Sequence, residues 1–120
     1  NLDKSKSQAL ILSLKKLFTE EEVYLDNSIT LETLSKRLNV SPRKLSQAIN
    51  ENEQKNFSDL VTSHRIEKAK SLLIDPKYRN EKILSVAYDC GFGNITSFNL
   101  AFKAKTKRTP SQYRNEFGST

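Results

Sequence analysis

Apolar residues recur at helical spacing near the start of the chain. The first stripe consists of Leu10, Leu14, Leu17 and Phe18, at positions i, i+4, i+7 and i+8. Such spacing puts side chains on one face of a helix, so it predicts an amphipathic helix over about residues 5–24. The acidic run at residues 20–22 is then a solvated helix end, and residues 26–28 form a loop.

The next stretch predicts a short helix, a tight turn and a second helix. Thr30 can cap the first helix, and Asn39 can end it because asparagine tolerates the left-handed conformation of such a stop. Ser41 can cap the second helix, with Pro42 at its first position and its end near Glu53. The inward positions are Leu31, Leu34, Leu38, Val40, Leu45 and Ile49. This is a helix-turn-helix pattern, whose second helix can lie in the major groove of DNA.

A long helix is predicted between Asn56, which can cap it, and Pro76, which stops it. Its apolar positions are Phe57, Leu60, Val61, Ile66, Ala69, Leu72 and Leu73. About 19 residues give a length of roughly 28 Å. Successive major-groove faces on one side of B-DNA are about 34 Å apart, so a helix of this length could hold two reading units one turn apart.

The helix-turn-helix pattern then occurs a second time. The corresponding pairs, 52 residues apart up to the turn and 53 beyond it, are Ser35 and Ala87, Asn39 and Gly91, Val40 and Phe92, Leu45 and Phe98, and Ile49 and Phe102. Asn94 is the predicted cap of a second reading helix over about residues 95–107. Thr109-Pro110-Ser111-Gln112 has the sequence of a capping box and opens a short last helix.

These elements define an all-α chain of about seven helices, with two helix-turn-helix subdomains joined by a long central helix. Residues 1–26 are predicted to form an N-terminal amphipathic helix that links to a sensor region upstream. The first helix-turn-helix is assigned to residues 27–56 and the connecting helix to residues 57–76. The second helix-turn-helix, with the short C-terminal helix, is assigned to residues 77–120.

The positive charge is concentrated near the end of the chain. The net charge is +6 over 120 residues. Residues 91–120 hold five basic side chains and one acidic side chain, whereas residues 1–90 hold 15 and 13. This balance favours a polyanionic partner, of which nucleic acid is the first candidate. The alternative is a solvated cationic surface that serves solubility.

Other features of the composition restrict the class of protein. The chain has the length of one domain, and it contains neither a transmembrane-length apolar run nor a secretory signal pattern. A single cysteine cannot form an internal disulfide, which fits a reducing compartment. The absence of methionine leads us to expect a C-terminal piece of a longer protein.

The candidate functional residues are the outward positions of the two reading helices. On the first helix, the candidate base contacts are Arg43, Ser46, Gln47 and Asn50, and Lys44 is better placed for phosphate. Arginine can pair with guanine through two hydrogen bonds, and glutamine or asparagine can do so with adenine. An ordinary polar helix face is the alternative explanation of these residues.

The second reading helix offers a different set. Its candidate base contacts are Ile95, Thr96, Asn99 and Leu100, and its candidate phosphate contacts are Lys103, Lys105, Lys107 and Arg108. Ile95 and Leu100 could touch thymine methyl groups or merely cover the protein's own surface. The helix starts at Thr30, Ile83 and Pro110 could also hold phosphate through backbone N–H groups.

No pattern in the sequence predicts catalysis, a metal or a cofactor. Cys90 lies on the inner side of its helix and is expected to be a buried small side chain. His64 is alone, without the second histidine or cysteine pair that metal spacing requires. No phosphate-binding glycine loop and no nucleophile elbow is present.

With these residues in place, the chain resembles the C-terminal DNA-binding domain of the AraC/XylS family of bacterial transcription regulators. The resemblance covers about residues 27–116 and is carried by residues 31–41, 65–73, 97–98 and 102–103, by Val86-Ala87-Tyr88-Asp89-Cys90-Gly91-Phe92 and by Thr109-Pro110-Ser111-Gln112-Tyr113-Arg114. It implies seven helices, sequence-specific promoter binding and, in most members, activation through contact with RNA polymerase. It also implies base contacts from the positions held by Arg43, Ser46, Gln47, Ile95, Thr96, Asn99 and Leu100.

The departures from the family affect specificity. The family often has arginine where this chain has Gln47 and Leu100, so base preferences of other members should not transfer. The first helix and Val23-Tyr24-Leu25-Asp26 resemble a subset from Bacteroidetes-type bacteria, some of which carry membrane-spanning or helical-repeat segments upstream. This implies that a region upstream binds an unknown effector, that the whole protein could be membrane-tethered, and that the DNA-binding part faces the cytoplasm.

The sequence therefore predicts a DNA-binding transcription regulator without catalytic activity. One alternative is a basic helical module that binds an acidic protein partner without sequence-specific DNA binding. Another is a role linked to DNA alkylation repair, since some repair proteins join this fold to a methyl-accepting cysteine. A reactive Cys90 would distinguish that last alternative.

Overall fold

In the computed structural model, which describes residues 4–118, every regular element of those residues is helical. Seven α-helices follow one another: α1 Lys4–Lys16, α2 Leu31–Arg37, α3 Pro42–Glu53, α4 Phe57–Ile74, α5 Ile83–Asp89, α6 Ile95–Thr106 and α7 Pro110–Phe117. The all-α class and the order of a short helix, a turn and a reading helix, occurring twice, are thereby confirmed. The described residues form two compact units, divided within α4 between Val61 and Thr62.

The helix boundaries follow from the caps that the sequence contains. The side chain of Thr30 accepts a hydrogen bond from the Thr33 N–H at 3.1 Å and also forms a capping box with the Thr33 side chain. The caps of α3, α4, α6 and α7 are Ser41, Asn56, Asn94 and Thr109. Each side chain accepts the backbone N–H three residues later, which satisfies a donor that the helix leaves unpaired. Helix α4 ends at Ile74, two residues before Pro76, because the residue before proline disfavours helix.

The end of the first helix differs from the prediction. A regular helix to residue 24 was expected, but α1 changes at Leu17 into a π-helical turn, Leu17–Glu21. Glu22 then adopts a left-handed conformation with φ 47°, and a 3-10 turn follows over Val23–Leu25. The rings of Phe18 and Tyr24, both buried, lie 5.6 Å apart between centroids. Both rings enter one core across this reversal, which a simple helical period does not encode.

The first unit is built on a core shared by α1, α2, α3 and the start of α4. Leu14, Leu34, Leu45 and Ile49 are each at most 1% exposed. Helix α1 packs along α3, and its polar Ser7 is buried there at 2% exposure. The rotation of α3 about its axis is therefore fixed by apolar contacts on its inner side, which leaves its other side outward.

The second unit has an aromatic core. Phe92, Phe98, Phe102 and Tyr113 contact one another in sequence, with ring centroids 5.3, 5.7 and 5.4 Å apart. The guanidinium of Arg65, on α4, lies 5.7 Å from the centroid of the Phe92 ring. Edge and tilted ring contacts of this kind add to the stabilisation that burial alone provides.

The two turns have the same hydrogen-bond pattern. The Val40 N–H donates to the Ser35 carbonyl at 3.0 Å, and the Phe92 N–H donates to the Ala87 carbonyl at 3.0 Å. Asn39 has φ 57°, and its counterpart Gly91 has φ 102°. The repeated sequence therefore produces a repeated backbone stop, in which a left-handed residue closes the first helix of each pair.

Candidate nucleic-acid interface

The outward face of α3 carries the first set of predicted base contacts. Leu45, Ala48 and Ile49 are 0% exposed and fix which side of the helix faces inward. Arg43, Lys44 and Asn50 are exposed, and Ser46 and Gln47 are half-buried. Since residues 43, 46, 47 and 50 recur at three- and four-residue intervals, their side chains share one stripe of the helix.

Gln47 and Ser46 are less available to a ligand than the other side chains of this stripe. Gln47 Nε2 donates a hydrogen bond to Glu51 Oε2 at 3.2 Å, one turn further along α3. Ser46 is half-buried beside the core positions, so only part of its surface can face a ligand. Arg43 and Asn50 are the more accessible members of the stripe.

The outward face of α6 is arranged in the same way but has different chemistry. Phe98 and Phe102, both 0% exposed, hold the helix against its core. Thr96, Asn99 and Lys103 are exposed, and Ile95 is half-buried. Leu100 is 70% exposed, which is unusual for a large apolar side chain on a small domain.

An apolar cleft of about 580 Å³ lies beside this face of α6, within the second unit. Ile83 and Leu84 from α5, Ile95 and Leu100 from α6, and Pro110 from α7 contribute its apolar wall, with Asn99, Lys103, Thr109 and Ser111 also lining it. Sequence reasoning missed this cleft and its residue Leu84, which is 41% exposed. The sequence did contain a sign of an apolar surface here. Leu84 stands 52 residues after Glu32, so an apolar side chain occupies in the second unit the position that an acidic side chain occupies in the first.

The predicted phosphate contacts lie on α3, on α6 or directly after α6. Lys44, Lys103 and Lys105 are exposed on helices. Lys107 follows α6 in a left-handed conformation with φ 66°, and its Nζ donates to the Ala104 carbonyl at 3.4 Å. Ammonium groups in such positions can contact DNA phosphates without reading sequence.

Arg108 is engaged within the protein. Its Nε and Nη2 donate to the two carboxylate oxygens of Glu116 at 2.5 and 2.9 Å, and its guanidinium lies 5.2 Å from the centroid of the Phe117 ring. This hydrogen-bonded pair raises the pKa of Arg108 and lowers the pKa of the Glu116 carboxyl. A phosphate at Arg108 would have to replace that carboxylate or use the N–H groups of the guanidinium that the pair leaves over.

The three helix starts that were considered for phosphate differ in capping. Thr30 and Thr109 cap α2 and α7 through their side chains. Lys82, which precedes Ile83 at the start of α5, makes no side-chain capping hydrogen bond. The first N–H groups of α5 are therefore less satisfied by the protein than those of α2 and α7.

Cys90 is 0% exposed, and its Sγ donates to the Ala87 carbonyl at 3.4 Å. Burial raises the pKa of the Cys90 thiol to about 12, with a smaller lowering from the charge of Arg65. A buried thiol that holds its proton is a poor nucleophile, which argues against the methyl-accepting role. No cluster of three metal-ligating side chains occurs between residues 4 and 118.

Comparison with known proteins identifies the class. Residues 34–116 match a family described as a helix-turn-helix domain, of the AraC type. The chain therefore belongs to the AraC-type helix-turn-helix family of transcription regulators, and the resemblance stated from its sequence is confirmed. Over residues 4–118, no helix is long and apolar enough to cross a membrane.

Similar curated proteins are named as regulators of transcription. The uncharacterized HTH-type transcriptional regulator YijO of Escherichia coli is 30% identical over 115 residues, which cover 96% of this chain and 38% of that protein. An uncharacterized HTH-type transcriptional regulator of Staphylococcus aureus is 33% identical over 95 residues, which cover 79% of this chain and 12% of that protein. The chain thus spans well under half the length of both relatives.

Solved structures share the fold. The C-terminal domain of the response regulator AraT from Geobacillus stearothermophilus matches with a TM-score of 0.79 and 28% identity, over 92% of this chain and 87% of that one. The C-terminal domain of the two-component response regulator yesN from Fusobacterium nucleatum has a TM-score of 0.73 and 35% identity, over 85% and 98%. The DNA-binding domain of AdpA, solved with a target DNA, has a TM-score of 0.77 and 19% identity over 90% and 91%, which shows likeness of fold alone.

Proposed function

We propose that this chain binds promoter DNA sequence-specifically, with α3 and α6 as reading helices in two adjacent major-groove segments. The observation that supports this most strongly is the outward stripe of α3. Arg43, Gln47 and Asn50 lie opposite a fully buried inner face, and these residue types can hydrogen-bond to base edges. The polar stripe is therefore held in a fixed direction by the core behind it.

Each role is assigned to one of the segments predicted from the sequence. Residues 27–56 and 77–120 form the two reading units, residues 57–76 connect them, and residues 1–26 lead from a region upstream. On α3, Arg43, Ser46, Gln47 and Asn50 would contact bases. On α6, Ile95, Thr96, Asn99 and Leu100 would do so, with the apolar pair facing thymine methyl groups.

The lysines would hold the DNA backbone. Lys44, Lys103, Lys105 and Lys107 would each neutralise a phosphate, which adds affinity for every sequence and makes binding depend on salt. Arg108 would contribute less, because its charge is already paired with Glu116. The chain itself would carry out no catalysis and need no cofactor.

The remaining parts of the proposal concern the whole protein. Activation of transcription through contact with RNA polymerase is the mode that the family resemblance supports. An effector would bind a region upstream of this chain, and the DNA-binding part would work in the cytoplasm, with or without a membrane tether.

The experiment that tests the proposal is selection of binding sites from a random duplex library. The selected duplexes are then titrated against random DNA at several salt concentrations. Two enriched blocks about one helical turn apart are expected. One block would restrict base reading to a single unit. No enrichment, with binding that disappears as salt rises, would contradict the proposal and favour the basic protein-interaction module.

A further inference from the structure

A short chain of polar side chains joins α1 to the predicted base-reading stripe of α3. Gln47 Nε2 donates to Glu51 Oε2 at 3.2 Å, and Ser7 Oγ lies 3.5 Å from Glu51 Oε1, to which it donates. Asn52 Nδ2 donates to Ser7 Oγ at 2.7 Å and to the Ala48 carbonyl at 2.8 Å. Ser7 is 2% exposed, so α1 supplies a buried hydroxyl that fixes the far end of this chain.

The hydrogen bond to Glu51 determines how the Gln47 amide is turned. A carboxylate only accepts hydrogen bonds, so Gln47 must offer its Nε2 and direct its Oε1 elsewhere. The interaction uses one of the two N–H groups of that amide. One donor and one acceptor of Gln47 remain for a ligand.

The remaining pair of groups matches one purine and not the other. In the major groove, adenine presents an acceptor at N7 and a donor at N6, whereas guanine presents acceptors at N7 and O6. A Gln47 amide with one free N–H and one free Oε1 satisfies both adenine groups. At guanine, the Oε1 would face O6, and two acceptors would meet without a hydrogen between them.

We propose that Glu51, held by Ser7 of α1, is a positioning residue that makes Gln47 select adenine over guanine. The inference rests on the proposed function, since it requires Gln47 to contact a base. It also gives α1 a part in specificity, although α1 lies outside residues 34–116, which match the family.

A second acidic residue of α3 provides a matched control. Glu53 Oε2 pairs with Lys15 Nζ of α1 at 3.5 Å, two residues beyond Glu51. Removing either carboxylate takes one negative charge from the same helix end. Loss of charge alone therefore strengthens binding to all DNA sequences and leaves the ratio between adenine and guanine unchanged.

The experiment starts from the site selected by the parent chain. Gln47→Ala first identifies the base pair whose preference it removes. Dissociation constants are then measured on duplexes with A·T or G·C at that pair, for the parent, E51A, E53A, S7A and the double variant Q47A/E51A. Thermal unfolding monitored by circular dichroism verifies that each variant is folded.

We expect the parent to favour adenine by about tenfold or more, as a bidentate pair provides. E51A should reduce this ratio about tenfold, mainly through tighter binding to the guanine duplex. S7A should shift the ratio in the same direction by a smaller factor, and E53A should leave it unchanged. In the Q47A background, loss of Glu51 should not alter the ratio.

Three results would overturn the inference while the proposed function stands. The first is an unchanged ratio in E51A, and the second is a parent site in which Q47A alters no base preference. An equal change of the ratio in E53A would also overturn it, because charge would then explain the effect. A parent chain without any base preference would instead contradict the proposed function itself.

Discussion

The two reading helices bury corresponding inward positions, each in the core of its own unit, and differ on their outward faces. Leu45 and Ile49 of α3 correspond to Phe98 and Phe102 of α6, 53 residues later, and all four are 0% exposed. At the same offset, the outward pairs are Arg43 and Thr96, Ser46 and Asn99, Gln47 and Leu100, and Asn50 and Lys103. One scaffold thus carries a face rich in directional hydrogen-bonding groups and a face that combines an apolar side chain with a cation.

Under the proposed function, this difference predicts two kinds of DNA contact. The first face can distinguish bases through paired donors and acceptors, which are specific to each base pair in the major groove. The second face lies beside an apolar cleft and carries Lys103, so it suits methyl contacts and phosphate. One repeated fold within this chain therefore carries two chemically different outward faces.

The largest expected effect comes from removing the core of one unit. Phe98→Ala should lower the free energy of unfolding by about 3–5 kcal/mol, because it deletes a fully buried ring that packs against two others. Urea denaturation followed by circular dichroism measures the decrease. The counterpart Leu45→Ala should cost about 2–5 kcal/mol. A cost below about 1 kcal/mol for Phe98→Ala would mean that the aromatic core repacks.

The next effect concerns base reading by the first unit. Arg43→Ala should weaken binding to the selected site by about 1–3 kcal/mol, since alanine cannot hydrogen-bond to the base. Binding to random DNA should weaken much less. Thr96→Ala, at the corresponding position of α6, should cost less because threonine cannot form the bidentate pair. Fluorescence anisotropy titrations on selected and random duplexes provide both values.

Lys105→Ala is the control for that measurement. It should weaken binding to selected and random DNA alike. The slope of binding affinity against salt concentration should fall by about one phosphate contact. Equal decreases in affinity on selected and random DNA for Arg43→Ala would remove its assignment as a base-reading residue.

The features that sequence predicted well are those encoded by neighbouring residues. Caps such as Ser41 and Asn94 bond to N–H groups three residues away, so a short window contains both partners. The buried and outward positions of α3 also follow from its period alone. The Gln47–Glu51 hydrogen bond spans four residues on one helix and was within reach of the same reasoning.

The features that sequence missed depend on tertiary packing. The π-helical turn at residues 17–21 arises where Phe18 and Tyr24 enter one core. The cleft beside α6 exists only once α5, α6 and α7 are assembled. Arg108 was predicted as a phosphate contact from charge alone, and its pairing with Glu116 joins residues across a helix boundary.

A smaller effect distinguishes the two turns. Gly91→Ala should cost about 1–2 kcal/mol, because Gly91 has φ 102° and a side chain there is strained. Asn39→Gly should change the free energy of unfolding by less than about 1 kcal/mol, since asparagine already tolerates its φ of 57° and glycine adds chain entropy. Thermal and urea unfolding provide the comparison. A cost of Gly91→Ala no larger than the change produced by Asn39→Gly would contradict the expected strain at Gly91.

The smallest expected effect tests whether Leu100, the exposed apolar residue of α6, contacts DNA. If Leu100 touches a thymine methyl group, Leu100→Ala should weaken the selected site by about 0.8 kcal/mol for each methylene-sized group that no longer meets the DNA. The effect should disappear when the thymine is replaced by uracil, which lacks that methyl group. Leu12→Ala, which removes a side chain 68% exposed on α1, is the matched control and should change binding to neither duplex. An equal weakening on both duplexes would mean that Leu100 covers the protein's own cleft, and base reading by the second unit would then rest on Ile95, Thr96 and Asn99.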